Sequence, residues 1–245
     1  METMGELQGQ VVVVIGGSSG MGLETARRAR SEGADVILTG RDPERLKQAA
    51  ADVGARDTAA FDATDPAALS RFFDGLPPTI DHLMLTGGGP YYAPLAELDH
   101  ARAVEDFNRH IWLPVSLAQH AIGRVRPGGT LLFIGGTGAR RPGPGLALIG
   151  AATTGMPTLV ANLALELAPV RANLIAAGFV DTPLSATLLG GDLEQRRQQL
   201  RDTLPIRRVV EPQDVAALAV HLMINTALTG ATYDIDGGQQ LVPQG

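Results

Sequence analysis

The chain has 245 residues, 44% of them hydrophobic and 19% charged, with a net charge of −6. That length buries one large core, and a negative balance argues against a general nucleic-acid surface, which needs clustered positive charge. The absence of cysteine removes disulfides, thiolate zinc sites and cysteine nucleophiles together.

From the N-terminus, residues 1–10 hold Glu2 and Glu6 and no apolar stretch, so no signal peptide is expected. Val11–Ile15 is an apolar, β-branched run that ends in glycines. That pattern suits a strand buried on both faces of a parallel sheet. Residues 21–31 have helical spacing and stop at Gly33. Residues 35–39 read as the second strand, and Asp42 with Pro43 supplies the cap and first-turn proline of the next helix. Further strands are predicted over 58–61, 82–86, 130–134, 173–176 and 232–235. Helices are predicted over 66–73, 101–125, 150–167 and 212–224. The alternation predicts one α/β domain over residues 1–245, a doubly wound Rossmann sheet of about seven parallel strands with helices on both faces. Residues 182–204 break the rhythm, as either a mobile cover over a site or a long surface connection. No run is read as a membrane span of ~20 apolar residues. A cytoplasmic protein without membrane or nucleic-acid partners is expected.

The turn between the first strand and first helix is Gly16-Gly17-Ser18-Ser19-Gly20-Met21-Gly22. Glycine lets backbone amides approach a pyrophosphate, and the helix N-terminus adds partial positive charge. The turn therefore predicts a dinucleotide site. NAD-preferring sites carry an acid at the end of the second strand to bond the ribose 2′-hydroxyl. Here Thr39-Gly40-Arg41 stands there. A guanidinium suits a 2′-phosphate, so NADP(H) is expected over NAD(H). The alternative is that Arg41 is an ordinary exposed first-turn residue. Lys47, the one lysine in the chain, is expected to point to solvent.

These features resemble the short-chain dehydrogenase/reductase family. The spacing Gly16-xxx-Gly20-x-Gly22 is similar to that family's glycine pattern. Asp62-Ala63-Thr64-Asp65 resembles its adenine-contacting segment, and Ala177 to Pro183 resembles its stretch near the nicotinamide. Glu211-Pro212-Gln213-Asp214-Val215-Ala216 and Asp236-Gly237-Gly238 resemble its C-terminal signature. Besides Arg41, the resemblance implies cofactor contacts at Gly16, Ser18, Ser19, Gly20, Met21, Gly22, Asp62, Ala63, Thr86, Gly87, Gly178, Val180 and Thr182.

The same register locates what is missing. The family's proton-relay asparagine falls on His110, its serine on Gly136, its tyrosine on Ile149 and its lysine on Thr153. The tyrosines are Tyr91, Tyr92 and Tyr233, and four residues after them stand Leu95, Ala96 and Gly237. The family's tyrosine–lysine pair therefore cannot form. General acid help contributes roughly 10²–10⁴ in rate. Ordinary ketone chemistry should be slow. His110, Thr137 and Tyr92 are the substitute proton donors to weigh, each with a structural alternative: helix packing, a buried hydroxyl, or a pocket lining. Two functions are expected. One is an NADP(H)-dependent oxidoreductase with displaced chemistry, acting on a small molecule such as an imine or activated alkene. The other is a silent NADP(H)-binding sensor, scaffold or partner subunit. The long helices resemble those through which family members form homodimers or homotetramers.

Overall fold

The computed structural model describes residues 5–242. The expected domain of residues 1–245 includes 1–4 and 243–245, which lie outside the described residues. The strands are β1 (Val11–Ile15), β2 (Asp35–Gly40), β3 (Asp57–Ala60), β4 (Ile80–Leu85), β5 (Val125–Gly136), β6 (Arg171–Ala177) and β7 (Thr232–Ile235). They form one parallel sheet in the order β3-β2-β1-β4-β5-β6-β7. The helices are α1 (Gly20–Ser31), α2 (Pro43–Val53), α3 (Pro66–Gly75), α4 (His100–Phe107), α5 (Leu113–Ala121), α6 (Ala147–Glu166), α7 (Pro183–Leu189), α8 (Leu193–Thr203) and α9 (Pro212–Ile224). This is the doubly wound α/β fold that the alternation predicts.

β1 shows why its run is continuously apolar. All five of its residues are buried. Val11, Val13 and Ile15 share a core with Leu69 of α3, Leu117 of α5 and Val160 of α6. Val12 and Val14 point the other way, into a core with Ala26 of α1, Leu46 of α2 and Val215 of α9. Side chains alternate across a strand, so a strand covered on both faces needs apolar residues at every position. Each such side chain is worth roughly 1.5–3 kcal/mol of burial.

Helix ends follow their capping chemistry. The Asp42 carboxylate accepts the amides of Glu44 and Arg45, both at 3.1 Å, and starts α2. Gly54 ends it in the left-handed conformation, with φ 67°. Asp65 caps α3 in the same way, through Ala67 and Ala68.

Three expectations need correction. The helix expected over 101–125 is α4, a π-helical turn at Asn108–Trp112, and α5. It stops at Ala121 because Gly123 turns left-handed, with φ 74°. Val125 already belongs to β5. Second, residues 182–204 fold largely as α7 and α8. Thr182 and Ser185 make a reciprocal capping box that starts α7. Arg197 of α8 holds Asp181 through two bonds of 2.8 and 2.9 Å. Third, α6 is 20 residues long and apolar enough to cross a membrane by length and composition alone. Its Ala- and Leu-rich sequence carries no charge before Glu166. Its buried side, through Met156, Val160 and Leu163, packs on the sheet.

Candidate functional site

In the strand order, β1 has β2 on one side and β4 on the other. Connections leave their C-terminal ends in opposite directions, and a crevice opens there. It has a volume of about 600 Å³ and is lined by the turn after β1, the end of β2, the segment after β3, the loop after β4, and α7.

The turn after β1 is shaped by contacts that exclude side chains. Gly16 has φ 85°, and a Cβ there would strike the Thr86 carbonyl. Thr86 donates its hydroxyl to the Gly16 carbonyl at 3.1 Å, tying the turn to β4. A Cβ at Gly22 would strike the Gly16 carbonyl, so Gly22 lets α1 start close under the turn. Ser19 occupies the N-cap of α1 but makes no side-chain cap bond. The first-turn amides of α1 are thus left for an outside acceptor, unlike those of α2 and α3. A pyrophosphate fits such a cradle.

At the other end, exposed Arg41 and Arg45 line the crevice with Asp42. Asp42 could have acted as the ribose-binding acid. Its carboxylate is instead committed to the α2 cap, with Arg45 within 3.5 Å. Asp62 accepts from the Thr64 amide at 2.9 Å and the Thr64 hydroxyl at 2.8 Å. Burial pushes its pKa up, but the Thr64 bonds with the charges of Arg41 and Arg109 outweigh that and hold it below the ordinary carboxylate value. Asp62 therefore stays ionised as a hydrogen-bond acceptor.

Of the residues expected to touch a cofactor, Gly16, Ser18, Ser19, Arg41, Asp62, Ala63, Thr86 and Gly87 line the crevice. Gly20 sits beside Thr182, and Met21 packs against the core on the α1 side. Gly178 lies against Asp236, and Val180 is buried in a bridge to Val210. Gly20, Met21, Gly22, Gly178, Val180 and Thr182 are not among the lining residues. Sequence reading missed Arg45, Arg109, Leu184 and Thr187, which do line it. Arg45 stands on the first turn of α2 and was within reach of the argument made for Arg41. Arg109 gave no local signal, whereas Leu184 and Thr187 fall in the 182–204 segment, expected either to cover a site or to be a surface connection.

None of the three substitute proton donors lines the crevice. Thr137 is fully buried, and its hydroxyl lies 3.5 Å from the Ala177 carbonyl. His110 Nδ1 faces the Asp106 carbonyl at 2.9 Å and the Asp106 carboxylate at 3.3 Å. Burial pushes the Asp106 carboxyl up, against the opposing charge of His110. Tyr92 is largely exposed, and its phenol is pushed above its usual pKa by desolvation and by Asp106, which makes it a weaker acid. Tyr91 is an anchor: its hydroxyl accepts the Asp99 amide at 2.9 Å, and Arg102 stacks 4.5 Å from its ring. At the positions of the family's tyrosine and lysine, Ile149 and Thr153 are buried. The Thr153 hydroxyl donates back to the Ile149 carbonyl at 2.8 Å. No metal-ligand cluster occurs among the described residues.

A family model described as enoyl-(acyl carrier protein) reductase matches residues 15–240. The chain belongs to the short-chain dehydrogenase/reductase family. This family of oxidoreductases uses nicotinamide cofactors. The chain is 29% identical, over 95% of its length and 97% of the relative's, to an NADP-dependent (R)-specific alcohol dehydrogenase of Lentilactobacillus kefiri. It is also 29% identical, over 96% of its length and 98% of the relative's, to a cyclic-di-GMP-binding biofilm dispersal mediator protein of Escherichia coli. The solved structure of BdcA in complex with NADPH has a TM-score of 0.84 at 26% identity, covering 95% of both chains.

Proposed function

We propose that this short-chain dehydrogenase/reductase binds NADP(H) and reduces a substrate that needs little proton donation, such as an iminium or an activated alkene. The observation that carries the cofactor choice is the end of β2: Arg41 and Arg45 line the crevice while Asp42 is spent on its helix cap. A relative and a structural neighbour are NADP-associated by name. Bound NADPH would supply a hydride. The chain's part is to hold the nucleotide and exclude water, since Ile149 offers no proton and Thr153 no charge. A developing alkoxide would find no Gly136 side chain to receive it. An iminium develops no such charge and loses less by that wall.

Two measurements test the reading. In titrations with both dinucleotides, Arg41→Ala should weaken NADPH about 10–100-fold and leave NADH nearly unchanged, the value of one charge-assisted hydrogen-bond set. Equal losses would remove the 2′-phosphate assignment. NADPH oxidation should then be faster with imines and enones than with plain ketones, and brisk ketone turnover would overturn the substrate class.

The second reading is a silent binder. The sealed Ile149 and Thr153 favour it, and one relative is named for binding a ligand. It expects nucleotide binding with no turnover of any of these substrates. The same proposal places the protein in the cytoplasm, as a homodimer or homotetramer. Exposed Phe107 and Trp112 beside α4 and α5, and exposed Leu165 on α6, offer apolar area for that assembly. Light scattering after size exclusion would read the state.

A further inference from the structure

Arg109 is a charged side chain of the crevice that the reading above does not use. It lines the same space as Gly16, Ser18 and Gly87. It reaches that space from the π-helical turn between α4 and α5. A π turn holds one residue more than an α turn, so it re-aims side chains by roughly 100°. The stem of Arg109 then lies flat on Gly88, where a Cβ would collide with Arg109 Cδ. Gly88 has φ 86°, a conformation that also favours glycine. Two independent features, the π turn and a bare backbone patch, thus lay this guanidinium along the crevice wall.

We propose that Arg109 grips the diphosphate bridge of the bound dinucleotide. This rests on the reading that the crevice holds NADP(H). Arg41 and Arg45 come from the β2 end of the crevice. Among the described residues that line it, Arg109 is the one cation from the α4–α5 side. Threonine at position 153 supplies no charge, and Lys47 is exposed on α2. A diphosphate carries two negative charges, and the planar guanidinium matches its oxygens with paired bonds. The present partner of Arg109 is Glu105, whose side chain is 61% exposed. The Arg109 side chain itself is only 20% exposed, so it is the outer partner, Glu105, that solvent screens and that a phosphate could replace.

The test titrates NADPH and NADH into the wild type, Arg109→Leu and Arg109→Lys, following nucleotide fluorescence. The diphosphate is common to both nucleotides. Arg109→Leu should therefore weaken both about 10-fold or more and to the same extent, and Arg109→Lys should recover part of the loss. Unchanged affinities would overturn the assignment. Tighter binding would also overturn it, by making Arg109 a plug. A loss confined to NADPH would do so too, by moving the guanidinium to the 2′-phosphate. Melting temperatures without nucleotide check that each variant is folded. A wild type that binds neither dinucleotide sinks the cofactor reading. A wild type that binds both, with Arg109→Leu unaltered, sinks only this inference.

Discussion

Replacing Arg171 with methionine is expected to remove about 3–5 kcal/mol of folding stability. Arg171 opens β6 and is almost fully buried, at 5% exposure. No carboxylate pairs with it among the described residues. It donates instead to carbonyls. Nη1 reaches Leu222 at 2.7 Å, Leu228 at 3.1 Å and Asn225 at 3.2 Å. Nη2 reaches Met223 at 2.8 Å, and Nε reaches Gly128 at 3.1 Å. Leu222 and Met223 are in the last turn of α9, where carbonyls lack helix partners and carry partial negative charge. One cation thus ties the end of α9, the approach to β7 and the turn inside β5 to the first residue of β6. Methionine fills much of the volume but strands those carbonyls. Lysine keeps the charge without the fork, so Arg171→Lys should cost about half as much. Urea unfolding measures both. A loss under about 1 kcal/mol for Arg171→Met would refute this account.

The second large effect is acid sensitivity from His82. This ring is 1% exposed on β4, and Nε2 lies 2.7 Å from Gln10 Oε1. Nδ1 is buried without a partner. Burial lowers its pKa from 6.5 to about 3, with Arg126 and Arg171 adding to the effect and Asp81 opposing it. The folded state therefore rejects a proton that the unfolded chain accepts below pH 6.5. His82 leaves stability intact above that pH. It removes stability progressively as pH falls toward 3. At about 1.4 kcal/mol per unit, the loss at pH 4.5 is roughly 2–3 kcal/mol from this residue. His82→Leu should lose that much less than the wild type between pH 7.5 and 4.5 in urea unfolding. Parallel stability–pH curves for the two proteins would refute it. Because Arg171 helps hold the ring neutral, Arg171→Met should raise the His82 pKa in the folded state and shrink the share of the acid loss that His82 causes.

These two residues show what local sequence can and cannot reveal. β1 was legible because burial on both faces forces an apolar run, and the start of α2 because Asp42 and Pro43 mark it in sequence. The glycine turn was legible because its backbone needs glycine wherever the chain crosses Thr86. The π turn at Asn108–Trp112 left no such mark, since one inserted residue keeps the apolar spacing nearly helical. That hid the break between α4 and α5 and, with it, the direction of Arg109. The breadth of β5 was hidden too, since Val125 reads equally as the end of an apolar helix. His82 sits in a stretch that reads simply as a strand, and Arg171 lies two residues before the strand expected over 173–176. Their weight comes from carbonyls and side chains tens of residues away. The losses at Gly136, Ile149 and Thr153 were legible only through the family register, and burial of the last two seals them from the crevice.

The strand order has one more consequence. Gly16, Arg41 and Asp62 follow β1, β2 and β3, while Gly136, Ile149 and Thr153 belong to β5 and α6, across β4. Changes at well-separated sites combine almost independently. The two halves can therefore drift apart over generations, one conserving its grip while the other is rewritten. A library randomised at positions 136, 149 and 153 would explore new reactivity on a scaffold whose anchoring half stays untouched.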